Sequence, residues 1–531
     1  MDTARRPSTS LRLALLCGLA ALVYAGAVPS DFALDDAFAV QSNPVVQGQV
    51  PAWEAFSRDF WGLGLPSPIG TYRPLTVLSF VLDARLGNGA PWVFHLTNVL
   101  LHVLAVAALY RVWRSWAGDT TAWAAAALFT LLAAPAEAVQ AIVGRADLLG
   151  ALLGLLGYAA HRTPGARGAW SAALCFALAL LSKESALLYP LVWCVLEGLR
   201  TRAWRPSAWG RLGVYPLLAA LFLLARKRAV GTYLSAGVGN LTNPLVSAPG
   251  PQRLLGAAAI FWSRYLGGLA NPLRRLSLCS APACGPVGPG EPRAWLGLGA
   301  LVLLAALAVG CWRSAPLVSA GLVWFLALFL PISNLLVVGP SVYGERLLYA
   351  PLMGGSLALA AAVALLAARL PRPGLAWGLL GALGVGNAVA IQLRHESWRD
   401  SASLALQDVE EEPRSSEAQG MAASAWMVRG DPVAAERCAR EAIALEPSYG
   451  QFYGLLAAAL DLQGRTAEAQ RVFERSVELN PSEEAVLNLA RFHANHGERQ
   501  RALELLEHPR LPHPPGPRWR ALLRQLREAP E

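Results

Sequence analysis

The chain has 531 residues, of which 54% are hydrophobic and 15% charged, with a mean hydropathy of +0.38. A water-soluble protein of this length does not carry so much apolar residue, so the composition excludes a wholly aqueous fold and calls for a bilayer. The formal charge of +9 does not point to nucleic acid either, because most arginines sit in short loops between apolar blocks, where the positive-inside bias puts them.

The apolar blocks fill residues 11 to about 392, and the remainder reads as an ordinary soluble helical segment. The predicted fold is therefore all-α: a polytopic membrane bundle over 1–393, of twelve spans if every apolar block crosses once and about 11 if the block interrupted by Arg264 does not, then a connecting helix over 394–414, helical repeats over 415–510 and a tail over 511–531. Arg5 and Arg6 precede LRLALLCGLAALVYAGAV, 18 residues that cross a bilayer core of about 30 Å at about 1.5 Å per residue. A cleaved signal peptide ending in Ala25-x-Ala27 is the competing reading, and in both cases residues 29–72 emerge on the outer side.

That outer loop carries adjacent carboxylates, Asp35 and Asp36, about one turn past the first apolar helix. From the residues alone the doublet is either a capping and solubilising pair or the acidic part of a site. Trp53, Phe56, Phe60 and Trp61 suit a short helix in the headgroup zone or a small loop core. Tyr72-Arg73-Pro74 opens the next helix with proline in its first turn, and Arg73 and Arg85 are placed to meet lipid phosphates. In the span from Pro91 to Trp116, Asn98 and His102 share a face. His102 reads as an interhelical hydrogen bond that supports a site.

Glu137, Arg145 and Asp147 then follow at the head of a long apolar helix. Ionisable groups in membrane segments are expensive, so they pair with one another or line a cavity. An Arg145–Asp147 pair is the bland alternative to a site. Two further apolar runs are hinged at Lys183 and Glu184, and the basic loop RTRAWRPSAWGR after them belongs in the cytoplasm. The hinge then faces the same side as Asp35 and Asp36, unless the two charges merely snorkel to the interface.

Leu254 to Ala270, interrupted by Arg264, is expected not to cross fully. Between later spans, Glu345 and Arg346 head a helix; a helix N-terminus with a guanidinium is a ready phosphate site, although Glu/Arg pairs also mark ordinary boundaries. Cys279 and Cys284 bracket a Pro/Gly-rich loop and are expected to pair as a disulfide. In the tail, Gly430 and Gly464, Ala435 and Ala469, and Pro447 and Pro481 are each 34 residues apart. That period identifies tetratricopeptide repeats, whose concave face holds an extended peptide.

Several stretches together resemble one family. They are DFALDDAFAVQSNP (31–44), YRPLTVLSFVLDARLG (72–87), FHLTNVLLH (94–102), EAVQAIVGRADLL (137–149), LSKE (181–184) and ERLLYAP (345–351). In this order and with a repeat tail, they are similar to the transmembrane-and-tetratricopeptide-repeat protein O-mannosyltransferases, a branch of the C-type glycosyltransferases. The resemblance implies transfer of a sugar, mannose first, from a polyprenyl (dolichyl-type) phosphate donor to an acceptor protein held by the repeats. It also implies a site on the outer side of the membrane, here taken as a bacterial plasma membrane. Asp35 or Asp36 matches the family's acidic position in the first outer loop and is expected to act as base, with Glu137 in the same site. Arg73, Arg145, Lys183 and Arg346 are expected to hold the donor phosphate, supported by Asp147, Glu184, Glu345 and His102. The family's His residues between the proline and the glutamate are missing, since only Ala136 separates Pro135 from Glu137. Some C-type enzymes use a divalent ion and O-mannosyltransferases generally do not, so a metal stays unassigned. The other readings are a membrane-anchored repeat scaffold without catalysis and a transporter or flippase of lipid-linked sugar.

Overall fold

The computed structural model describes residues 8–65, 70–202, 213–233, 243–274, 284–339, 341–507, 511 and 516–528. The chain divides into two compact units, one of residues 1–277 and 284–401 and one of residues 278–283 and 402–531. The described residues are helical or irregular, and contain no strand.

The first unit begins with α1 (Thr9–Tyr24), capped by the Ser8 side chain, which accepts from the Leu11 N–H. Then come α2 (Pro74–Leu86), α3 (Pro91–Leu131), the short α4 (Ala136–Gln140), α5 (Arg145–His161), α6 (Gly165–Ser182), α7 (Tyr189–Thr201), α8 (Val214–Val230) and α9 (Gly250–Ile260). The membrane part closes with α10 (Pro292–Gly310), α11 (Pro316–Phe329), α12 (Tyr349–Ala367) and α13 (Pro373–Ser397). Proline opens α2, α3, α10, α11 and α13, where its missing N–H is one the helix end cannot use and its fixed φ suits the first turn. Gly118 takes a φ of 75° inside α3 and kinks it, so the 41-residue helix is two arms.

Among the described residues seven helices are long and apolar enough to cross a membrane, with Pro316–Ile332 a shorter apolar one. The other crossings expected from the apolar blocks fall on α2, α7 and α8, which are shorter or carry charge: Asp83 and Arg85 in α2, and Arg226, Lys227 and Arg228 in α8. The stretch containing Arg264 is one continuous rod, α9 running through a π-helical turn (Phe261–Leu266) to Ala270.

α3 packs against α1, α5 and α12, and α11 against α12. Small residues bring these backbones together, as interfaces in lipid require. A Cβ on Gly321 of α11 or on Gly354 of α12 would each lie 2.5 Å from the other's carbonyl oxygen. Gly154 and Gly157 of α5 likewise seat the rings of Tyr189 and Trp193. Cys284 is disulfide-bonded; Cys279, its expected partner, lies outside the described residues, as does most of the basic loop 201–212.

The second unit is a stack of antiparallel helix pairs: Ser416–Val428 with Pro432–Leu445, Gly450–Leu462 with Thr466–Leu479, and Glu483–Asn495 with Arg499–Glu507. Each pair turns on a glycine in the left-handed region, Gly430, Gly464 and Gly497, with φ of 76–79°. That conformation is cheap for glycine alone, which is why the repeat period shows so plainly at these positions. Small and large side chains alternate in the core: Ala439, Ala457 and Ala469 lie beside Leu460, Phe473, Leu489 and Phe492. A last helix, Pro517–Glu528, closes the stack by burying Trp519 and Leu526 against Leu506.

Candidate active site

The loop after α1 turns sharply at Leu34, a non-glycine residue with a φ of 49°, and delivers Asp35 and Asp36 in opposite directions. Asp36 points inward and is wholly buried. One of its oxygens accepts from the Val143 N–H at 2.9 Å and the other from the Ala33 N–H at 3.1 Å, tying the loop to the turn between α4 and α5. Asp35 points outward, its side chain 42% exposed, and its Oδ2 accepts from Arg346 Nη2 at 3.2 Å. Asp36 thus has no exposed face, and Asp35 has one.

Glu137 lies in the first turn of α4, just after Pro135, almost fully buried. Its Oε2 accepts from the Arg346 backbone N–H at 3.0 Å, and its Oε1 lies 3.7 Å from Arg346 Nε. Arg346 therefore sits between two carboxylates contributed by distant parts of the chain, one buried and one open. Burial pushes the carboxyls of Asp36 and Glu137 up to about 7, against the hydrogen bonds and the Arg346 charge that favour ionisation.

Raised carboxyls stabilise the fold in their protonated form. The contribution of these two is complete below about pH 4, and is lost as pH rises through about 7. Accordingly, the thermal midpoint of the detergent-solubilised protein is expected to fall less steeply from pH 5 to pH 8 in Asp36→Asn and Glu137→Gln than in wild type. Equal slopes in all three would contradict it.

The turn that receives Asp36 is held by Asn98 of α3, whose amide donates to the carbonyl of Ala141 at 2.9 Å and of Val139 at 3.3 Å. Gly144 closes it: a Cβ there would lie 2.2 Å from the Ala138 carbonyl oxygen. Gly144→Ala should therefore displace the turn and cost about 1–3 kcal/mol, read as a lower unfolding midpoint, whereas Gly213→Ala, with open space around it and an ordinary φ of −61°, should leave the midpoint unchanged.

Lys183 and Asp147 form a buried ion pair beside a small cavity lined also by Tyr189, Leu347 and Pro351. Burial holds the Lys183 ammonium below its usual range despite Asp147, and Arg73 and Arg346 are close enough to repel it further. Next to it, Glu184 accepts from Arg73 Nε at 3.0 Å and from the Tyr72 N–H at 3.0 Å. Burial works against ionisation of Glu184, yet Arg73, these N–H groups and Arg226 keep it below the ordinary range. Arg73 also lies over the Phe60 ring, 5.3 Å from its centroid.

Two expected residues, Arg145 and Glu345, are engaged differently, and His102 makes the interhelical bond its position implied. Arg145 does not pair with Asp147. It is fully buried, with Nη1 2.5 Å from Asp83 Oδ2, Nε bonded to Asn98 Oδ1 at 2.8 Å and Nη2 to the Phe94 carbonyl at 2.7 Å, over the Phe80 ring. With no exposed surface it reaches no phosphate in this arrangement. Glu345 is buried against Arg394, whose Nη2 also donates to the Arg274 carbonyl at 2.7 Å. His102 bonds the Tyr349 hydroxyl at 2.8 Å, an interhelical bond between α3 and α12. Asp83 and Arg394 were not singled out in the sequence. Both are charges within or at the end of apolar helices, which was the available signal. Among the described residues no group of three or more His, Cys, Asp or Glu is placed to hold a metal ion.

Residues 462–526 match the sequence model of the tetratricopeptide repeat. Protein O-mannosyl-transferase Tmtc2 of Drosophila melanogaster is 35% identical over 287 residues, covering 50% of this chain and 29% of that protein. The chain is a sequence relative of proteins named protein O-mannosyl-transferases. Protein O-mannosyl-transferase TMTC1 of Mus musculus is 38% identical over 168 residues, 30% of this chain and 18% of that one. The human TMTC1 is 37% identical over 153 residues, 28% and 17% respectively. The resemblance read from the motifs is thus found again by direct comparison, and the chain spans less than a third of the length of these relatives. Among solved structures, ArnT from Cupriavidus metallidurans, bound to undecaprenyl phosphate, superposes with a TM-score of 0.39 at 15% identity, over 88% of this chain and 80% of that one. The chain is a multi-pass membrane protein with a tetratricopeptide-repeat segment.

Proposed function

We propose that the chain is an integral-membrane glycosyltransferase that moves a sugar, mannose first, from a polyprenyl phosphate to a protein hydroxyl. The observation that carries this reading is the open carboxylate of Asp35 in contact with the partly exposed guanidinium of Arg346, backed by buried Glu137. A hydroxyl needs a proton acceptor and a leaving phosphate needs fixed positive charge, and this pair offers both side by side.

In the proposed step the acceptor O–H gives its proton to Asp35 as its oxygen bonds the anomeric carbon. The bond from that carbon to the phosphate oxygen breaks, and the electron pair leaves with the polyprenyl phosphate. Arg346, with Lys183 and Arg73 nearby, would meet the developing charge. Asp147 and Glu184 keep those cations in place, while Asp36, Arg145, Glu345 and His102 hold the surrounding loops and helices. The repeats would present the acceptor protein, and the site and repeats would face the outer side, in a bacterial cell the outer face of the inner membrane. The names of the relatives support mannose and a protein acceptor.

The test is the glycoproteome of cells that produce the chain, compared with cells producing Asp35→Asn at the same level. Hexose on serine or threonine of exported proteins is expected only with wild type. Identical hexose occupancy in both would contradict the reading and favour a scaffold.

A further inference from the structure

We propose that Arg346 is a latch: without donor it holds Asp35, and the donor's phosphate takes over its exposed end and releases the carboxylate to act. This rests on the function proposed above and adds how the base is made available.

The two carboxylates on Arg346 are unequal. Glu137 is buried; it accepts from the Arg346 backbone N–H at 3.0 Å and faces the guanidinium from 3.7 Å, an ion pair without a hydrogen bond. Asp35 makes one contact, at 3.2 Å to Nη2, with its side chain 42% exposed and that of Arg346 28% exposed. An arriving anion therefore meets a guanidinium whose inner side faces a buried carboxylate that anchors its backbone, and whose outer Nη2 is held by a single solvent-accessible bond. Such a bond contributes little and exchanges readily, and a guanidinium matches a phosphate as well as a carboxylate. Glu137 is then a positioning residue: it keeps the fork in place when its outer partner changes.

While Asp35 accepts from Nη2 through Oδ2 its Oδ1 is free but the carboxylate is held on Arg346; once Arg346 turns to phosphate, both oxygens can swing to the acceptor hydroxyl. The latch thus couples the presence of donor to the placement of the base. The leaving polyprenyl phosphate carries more charge than the donor diester, so it holds Arg346 until it departs and keeps the bond to Asp35 open for that time.

The latch makes a binding prediction that is independent of turnover. Asp35 competes with phosphate for Arg346, so removing it should tighten phosphate binding even though it removes the base. The full chain in nanodiscs is titrated with undecaprenyl phosphate, and occupancy is read by native mass spectrometry. Asp35→Asn and Asp35→Ala should each bind about fivefold more tightly than wild type, the equivalent of one half-exposed ion pair no longer in competition. Arg346→Gln should bind more weakly, and adding Asp35→Asn to it should change nothing further. Wild-type binding that is unchanged or weakened in both Asp35 variants would overturn the latch and leave the donor reading standing. An absence of binding by wild type would overturn both.

Discussion

Replacing Asp35 by asparagine is expected to lower kcat/KM for sugar transfer by about 10²–10⁴-fold, the usual worth of a positioned general base, and to leave folding untouched. The side chain is 42% exposed and makes a single ion-pair contact, so its loss removes little from the fold. Asp36→Asn is the contrasting experiment. An asparagine there has one acceptor oxygen where two backbone N–H groups, of Val143 and Ala33, need partners, and its NH2 would face one of those donors. Its activity should fall together with its unfolding midpoint, whereas Asp35→Asn should lose activity alone. Equal loss of midpoint in both would contradict the separation of the doublet into a working and a structural carboxylate.

The second large effect is on stability. Arg145→Met leaves Asp83 as an uncompensated buried charge and strips Asn98 and the Phe94 carbonyl of their donors, a change expected to cost about 3–5 kcal/mol. Pairing it with Asp83→Leu should restore most of that, because replacing a whole buried ion pair by apolar side chains is often neutral. If Arg145 instead bound donor phosphate, the double variant would stay stable and lose donor affinity. The structure predicts recovery of stability with donor affinity retained.

The features legible in the sequence are the local ones. Pro74 at a helix start, the glycine turns at Gly430 and Gly464 and each apolar block act over a few turns at most, and each appears where its residues imply. The charged positions were legible as a set but not as pairs. Arg346 meets Asp35 across 311 residues and Arg145 meets Asp83 across another helix, and no spacing in the chain encodes such partners. Nor could the doublet be split from sequence, since its two members differ only in the direction that the Leu34 turn gives each side chain. Arg145 and Asp147 look like a pair because they are two residues apart. On a helix that spacing points them to different faces, and each finds a partner elsewhere.

The measurement that bears most directly on the account uses the purified chain in proteoliposomes with polyprenyl-phosphate mannose labelled in the sugar and a mixture of unfolded exported proteins. Label should move into protein, be released by β-elimination as expected of a bond to serine or threonine, and fail to move with Asp35→Asn. Label that crosses the bilayer on its lipid without entering protein would contradict the account and make the chain a carrier of lipid-linked sugar.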